Sequence, residues 1–248
     1  MRKAFAAGIF GTTHGSPPWR VLALPGWMHT VGDFDGVLSD LGTGAVAVDL
    51  PGFGGVNPEP PEAWGAAGYA EWVEPVLGDL DGPVVVVGHS FGGRVAVHLA
   101  ARRPDAVRAL VLAGVPLLRR ADRPAAKPAT SFRAARWLHR RGLLGDDRME
   151  AMRRKHGSAD YRSASGVMRD VLVRVTNETY EDQLRAVRCP VELVWGDGDD
   201  AAPLEVARRA AEILGDRARL TVLAGVGHQV PVASAADLRA AVERQLAG

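Results

Sequence analysis

The 248-residue sequence predicts an α/β fold of three layers, a mostly parallel sheet between helices, with one helical insertion. Three observations carry that expectation. Short Val/Leu/Ala-rich runs alternate with longer segments of helical periodicity along most of the chain. The runs are too continuous for strands with one wet face, as parallel strands buried on both sides should be. One of them, 83–87, leads through a glycine-flanked serine straight into the clearest helical pattern.

Taken in order, the stretch 1–15 faintly imitates a secretory signal, with a basic start and small apolar residues. Gly8, Gly11 and His14 interrupt it early, so it reads as a first strand. Further strands are expected at 20–24, 45–50, 83–87, 106–113, 190–195 and 219–223. Segments 31–41, 61–80, 90–103, 203–214 and 233–246 can each turn one apolar stripe inward as helices. In the third, Phe91, Val95 and Leu99 recur every four residues, and Pro104 stops the pattern. Pro61 and Pro203 stand where a first helical turn tolerates a missing amide hydrogen. Between about Pro116 and Thr179 the rhythm breaks into helical fragments. Residues 1–115 and 180–248 are therefore expected to form the core and 116–179 a helical cap, with 124–128 locally extended.

Thirty Lys plus Arg against 29 Asp plus Glu leave a net charge of +1, no global reason to expect nucleic acid or an anionic membrane as partner. The balance hides an asymmetry: residues 117–174 hold 15 basic and 6 acidic side chains, leaving the remainder acidic. This is either a solvated surface or a set of arginines that draws a carboxylate- or phosphate-bearing substrate. No apolar window reaches the roughly 18 residues of a membrane span. A single cysteine, Cys189, permits a reducing, cytoplasmic location and denies a thiolate-rich zinc site. No internal repeat or coiled-coil heptad occurs, and the chain is expected to be a monomer or homodimer.

The chemistry concentrates at three expected strand ends. Gly88-His89-Ser90-Phe91-Gly92 satisfies G-x-S-x-G in the context that motif requires, strand then sharp turn then helix, which would project the Ser90 hydroxyl from a strained turn. A serine hydroxyl is a poor nucleophile at neutral pH and needs a base. His228, in Gly225-Val226-Gly227-His228-Gln229 after the last strand, is the candidate. The base needs a carboxylate on its other ring nitrogen. Asp197, Asp199 and Asp200 all follow strand 190–195 and can supply it; Asp197 suits the tight turn, Asp200 suits a cap for the helix near Pro203, and Asp199 is the candidate. The run lacks the later ligands of a calcium loop, no H-E-x-x-H occurs, and no metal or cofactor is expected. Oxyanion donors are expected from the backbone amides of Phe91 and of Trp27, on the loop leaving strand 20–24. Trp27, Met28, His29, Phe53, Trp137 and Met168 are candidates for lining an acyl pocket, although such side chains equally serve as core. His89 reads as a packing and hydrogen-bonding residue.

With these motifs in hand, nearly the whole chain resembles the alpha/beta-hydrolase superfamily, specifically its capped, carboxylesterase-like serine hydrolases. Pro25-Gly26-Trp27 resembles the family's His-Gly-x oxyanion loop, Asp49-Leu50-Pro51-Gly52-Phe53-Gly54 its D-x-P-G-x-G segment, and Gly88 to Gly93 its elbow. Trp195 to Asp199 resembles its acid loop, which favours Asp199, and Gly227-His228 its terminal G-H. Pro25 departs from the usual histidine. The resemblance implies hydrolysis of a small-molecule carboxylic ester through an acyl-enzyme on Ser90. Thioesterase, lactonase, carbon-carbon hydrolase and lyase chemistries share the same residues, and a receptor-like binder would keep the fold with a damaged site. Ser90 at the elbow argues against the dehalogenases and epoxide hydrolases of the superfamily, which use Asp there.

Overall fold

The structure, a computed structural model, describes residues 1–119, 130–156 and 159–248. The expected extended stretch at 124–128 lies outside them. Eight strands lie among the described residues, of which β3 to β8 are built on Val, Leu and Ala: β1 (Arg2–Ala4), β2 (Phe10–His14), β3 (Trp19–Leu24), β4 (Gly44–Ala47), β5 (Val84–His89), β6 (Val107–Ala113), β7 (Val191–Gly196) and β8 (Ala218–Leu223). They make one sheet in the order β1-β2-β4-β3-β5-β6-β7-β8. From β4 to β8 all neighbours are parallel, whereas β1 and β2 are antiparallel to theirs.

Two strand expectations are corrected. The N-terminal stretch is two strands, because Ala7 and Gly8 take φ of 57° and 71° and turn the chain back so that Arg2 pairs with Thr12. The last strand, β8, is not buried on both faces: only Leu223 is buried, since β8 closes the sheet with one neighbour. In contrast every residue of β5 and β7 is buried.

The helices of the sheet unit are α1 (Asp35–Leu38), α2 (Ala66–Val73) and α3 (Ser90–Arg102). After the insertion, whose helices α4 to α7 are given below, come α8 (Glu181–Ala186), α9 (Leu204–Leu214), α10 (Val230–Ala233) and α11 (Ala235–Ala247). The neighbours α2, α3, α8 and α9 form one row, with α3 on β5 and β6 and α9 on β7 and β8. On the other face Phe34, Val37 and Leu38 join Leu238, Ala241 and Val242 of α11. They cover Val21, Ala23, Val85, Val87, Ala109 and Val111, alternate residues of three adjacent strands. Pro61 does not begin a helix. Pro58, Pro60 and Pro61 together withhold amide hydrogens and disfavour helical backbone before each ring, so α2 starts only at Ala66. The N-cap position of α9 is Pro203.

The chain forms two compact units. One comprises Met1–Glu59, Trp64–Arg119 and Thr179–Gly248, and the other Pro60–Ala63 and Arg120–Glu178. The second contains α4 (Thr130–Arg140), α5 (Asp146–His156), α6 (Ala159–Ser163) and α7 (Gly166–Val175). Ala135 and Met149 form its small core with Leu144, Met152 and Tyr161, and Arg174 Nη1 donates to the Ala63 carbonyl at 2.8 Å. Where the chain leaves and re-enters the sheet unit, Tyr180 N donates to Leu117 O at 3.0 Å.

An ion pair on a buried carboxylate fixes α11 to the sheet. Glu192 of β7 is 1% exposed, yet Arg244 Nε and Nη2 each reach it at 2.9 Å. Burial pushes the carboxyl up, and the hydrogen bonds from Arg244 and Gln245 outweigh it, holding Glu192 below the usual carboxylate range. Arg244→Met should therefore lower unfolding free energy by about 3 kcal/mol, because it strands the buried carboxylate, and Glu192→Met/Arg244→Met should restore most of the loss. Urea midpoints check this; a double variant no more stable than Arg244→Met would contradict it.

Candidate active site

The site begins with a junction that only small residues permit. β5 ends at His89 and α3 begins at Ser90, whose φ is 49°, in the left-handed region that side chains normally avoid. The turn is held by contact. A Cβ on Gly88 would lie 2.5 Å from the Gly93 Cα, one on Gly92 would strike the Leu24 carbonyl oxygen, and one on Gly93 would strike Val115. The glycines thus let α3 close against β5 and against the end of β3, leaving the Ser90 side chain outside the packed backbone.

At the ends of β7 and β8 two loops are stitched together. Gly198 N donates to Val226 O at 3.0 Å, and Asp197 Oδ1 accepts from Gly225 N at 2.7 Å, so Asp197 organises the neighbouring loop as well as its own turn. Gly196 has no room for a Cβ beneath Val226 O. This places Asp199, 3% exposed, against His228. Asp199 Oδ2 lies 2.8 Å from His228 Nδ1, while Oδ1 accepts from the amides of Ala201 and Ala202 at 2.9 and 2.7 Å. A carboxylate that accepts at both oxygens is held in one orientation, and its bond fixes the His228 proton on Nδ1. The other nitrogen, Nε2, stands 2.9 Å from Ser90 Oγ, so its lone pair can receive the hydroxyl proton.

Ser90, His228 and Asp199 therefore form one hydrogen-bonded chain. Gly114, at φ 56°, makes room for it: a Cβ there would lie 3.0 Å from Asp199 Oδ2 and 3.2 Å from His228 Nδ1. His89 braces it from below, with Nε2 2.9 Å from the His228 carbonyl oxygen, to which it must donate. The side chain of His89 is 1% exposed, and burial lowers its pKa to about 4.

On the opposite side the loop after β3 turns between Gly26 and His29, where His29 N donates to Gly26 O at 3.2 Å and Met28 takes φ 59°. A Cβ on Gly26 would lie 3.2 Å from Ser90 Cβ, so this loop lies directly against the nucleophile candidate. Among the described residues neither the Trp27 amide nor the Phe91 amide has an acceptor. The Phe91 amide is one of the unpaired donors of a helix start. The Trp27 ring is packed edge-on against Phe53 at 4.8 Å and Phe91 at 5.7 Å, and Phe53 and Phe91 are both buried. Asp49 secures the far end of the loop: it is 6% exposed and its Oδ1 accepts from Val31 N at 2.8 Å. Burial raises its pKa.

The pocket candidates divide. Trp27, Phe53 and His29 adjoin Ser90 or its flanking residues, with Phe53 in the aromatic packing beneath and His29 held by Asp33 and Gln229. Met28 is 57% exposed, which removes it from any enclosed wall of the sheet unit. Trp137 and Met168 belong to the second unit. Trp137 is half exposed on α4 with Arg141 over its ring at 4.0 Å, and Met168 is buried on α7. The residues that sequence reasoning did not assign are Asp33, Asp49, Gly114 and Gln229. Only Asp49 and Gln229 had a signal, their places in the D-x-P-G-x-G and terminal G-H segments.

Residues 21–242 match the model of a family described as the alpha/beta hydrolase family. The chain belongs to that family. A lipase, LipV of Mycobacterium tuberculosis, is 84% identical over 32 residues, 13% of this chain and 12% of the lipase. A pimeloyl-[acyl-carrier protein] methyl ester esterase of Aromatoleum aromaticum is 32% identical over 205 residues, 72% of this chain and 78% of the esterase. The first curated relatives are otherwise matched over about a third of their length or less. The solved structure of a thermophilic esterase from Thermogutta terrifontis superposes with a TM-score of 0.71 at 20% identity, covering 100% of this chain and 98% of that one, a likeness of fold.

His89 makes a pH-dependent prediction. Its pKa falls from 6.5 to about 4 on folding, so below the unfolded value the unfolded chain binds the proton more readily and stability is lost as pH falls from 6.5 toward 4. The loss should approach about 3 kcal/mol. Urea midpoints of wild type and His89→Gln between those pH values check it; a wild-type slope that His89→Gln does not reduce would contradict it.

Proposed function

We propose that this member of the alpha/beta hydrolase family is a serine hydrolase that cleaves small carboxylic esters through an acyl-enzyme. The observation that carries the reading is the chain Ser90 Oγ, His228 Nε2, His228 Nδ1 and Asp199 Oδ2, with links of 2.9 and 2.8 Å. His228 takes the Ser90 proton as Oγ attacks the ester carbonyl, and Asp199 stabilises the resulting imidazolium. The amides of Trp27 and Phe91 receive the oxyanion. His228 then protonates the departing alkoxide, and in the second half takes a proton from water as that water attacks the acyl carbon. Collapse of the second tetrahedral intermediate returns the proton to Ser90 and releases the acid.

Carboxylic esters are favoured over the other chemistries open to the same residues because the relative aligned over most of its length is by name a methyl ester esterase. The receptor-like reading needs a damaged site, whereas every link of this chain is in hydrogen-bonding range. The excess of basic side chains in 117–174 supports an ester that also carries a negative charge.

The experiment pairs labelling with turnover. A fluorophosphonate should add once to the wild type, at Ser90, and not to Ser90→Ala. Asp199→Asn should lower kcat about 10⁴-fold by presenting the wrong imidazole tautomer. A panel of methyl and aryl esters, with and without a free acid group at two ionic strengths, identifies the class. Folded wild type that neither labels nor turns over any ester would overturn the proposal.

A further inference from the structure

Three histidines stand where the ends of β3, β5 and β8 meet. The His29 ring lies 5.7 Å from that of His89, and His89 lies 5.0 Å from His228. One side-chain hydrogen bond crosses directly from the loop that carries the Trp27 amide to the loop that carries His228: Gln229 Nε2 lies 3.0 Å from His29 Nε2. With the amide so oriented its nitrogen can only donate, so His29 Nε2 offers its lone pair and the ring proton sits on Nδ1. Asp33 Oδ2, 2.5 Å from Nδ1 in a close but poorly aligned contact, favours that placement. His29 thus shares the His228 tautomer, although its carboxylate neighbour is a close contact and not an aligned hydrogen bond.

Each end of this bond is adjacent to a group the reaction uses. Gln229 follows His228 in the chain. His29 closes the turn around Trp27 through its amide bond to Gly26 O, and two residues later Asp49 holds Val31 N. On the side before His228 the loop is fastened to the β7 loop at Gly225 and Val226, and His89 holds the His228 carbonyl. Those bonds run to the β7 loop and to the end of β5. The Gln229 bond adds a side-chain link from the residue after His228 to the loop that carries the Trp27 amide.

We propose that His29 is a positioning residue that ties the base loop to the oxyanion loop through Gln229, so that the His228 imidazole and the Trp27 amide keep one separation through the reaction. The inference rests on the roles proposed above for Ser90, His228 and Trp27. The bond lies at a half-exposed position, the His29 and Asp33 side chains being 31% and 24% accessible. Water can satisfy the groups it leaves, so its loss should disturb geometry far more than folding.

The test compares wild type, His29→Phe, Gln229→Leu, the double variant and His29→Gln, which keeps an acceptor for the Gln229 amide, on one aryl ester. Each single loss of the bond should lower kcat about tenfold or more with KM changed by less than about twofold, and the double variant should fall no further than the worse single. His29→Gln should recover most of kcat, and melting temperatures should stay close to wild type. A raised KM with intact kcat would make His29 a substrate contact and overturn the tether, as would multiplicative losses in the double variant, or unchanged kcat. If His29→Phe does not fold, Gln229→Leu breaks the same bond from the other loop and decides alone. The aryl ester is one that wild type turns over in the panel above; wild type that neither labels nor turns over any ester fails the enzymatic reading itself, whereas active wild type with unmoved variants fails only the tether.

Discussion

Ser90 is held at φ 49°, a conformation that costs a residue with a side chain about 1–3 kcal/mol, and it stays there because the surrounding backbone has no room to relax. Gly88 against Gly93, Gly92 against the Leu24 carbonyl and Gly93 against Val115 are contacts that any side chain would break. This constraint fixes the direction in which the hydroxyl leaves the strand end. It also seats the start of α3, with its unpaired Phe91 amide, beside the loop that follows β3. The hydroxyl, the helix-start amide and the Trp27 turn are consequences of one close approach.

The other partners are brought to that point by loops that fasten each other. The segment after β7 is bound to the segment after β8 through Asp197, Gly198 and Val226, and Asp199 is oriented by two amides of its own turn. From there the imidazole spans the distance to Ser90. The loop that follows Pro25 is held from His29, Val31 and the Trp27 ring. Burial at His89 complements this arrangement, since a neutral ring with its Nε2 hydrogen on the His228 carbonyl is the form that burial favours.

What could be read from the sequence is what local spacing decides. The elbow is legible because glycines two positions before and two and three positions after a serine, following a Val run, describe a turn by themselves. The parallel strands are legible because burial on both faces leaves continuous apolar runs. Features made by tertiary meeting are not. β8 reads like the others although its position at the sheet edge exposes it, and the 1–15 stretch hides a reversal at Ala7 and Gly8. The proline cluster at 58–61 delays α2 beyond what periodicity suggests. Asp33 carries no local pattern, and although Gln229 stands beside the G-H segment, its contact with His29 lies across 200 positions of chain. Gly114 gives no signal either, because its need for φ 56° arises from Asp199 and His228 packed against it.

The central claim is that a nucleophile, a base and two amides share one small volume around Ser90 Oγ. A crystal structure of the phosphonylated protein tests it most directly. The account predicts phosphorus bonded to Ser90 Oγ, its unesterified oxygen within about 3 Å of the Trp27 and Phe91 nitrogens, and His228 still on Asp199. An adduct whose oxygen faces away from both amides, or a phosphonate on another residue, would contradict it.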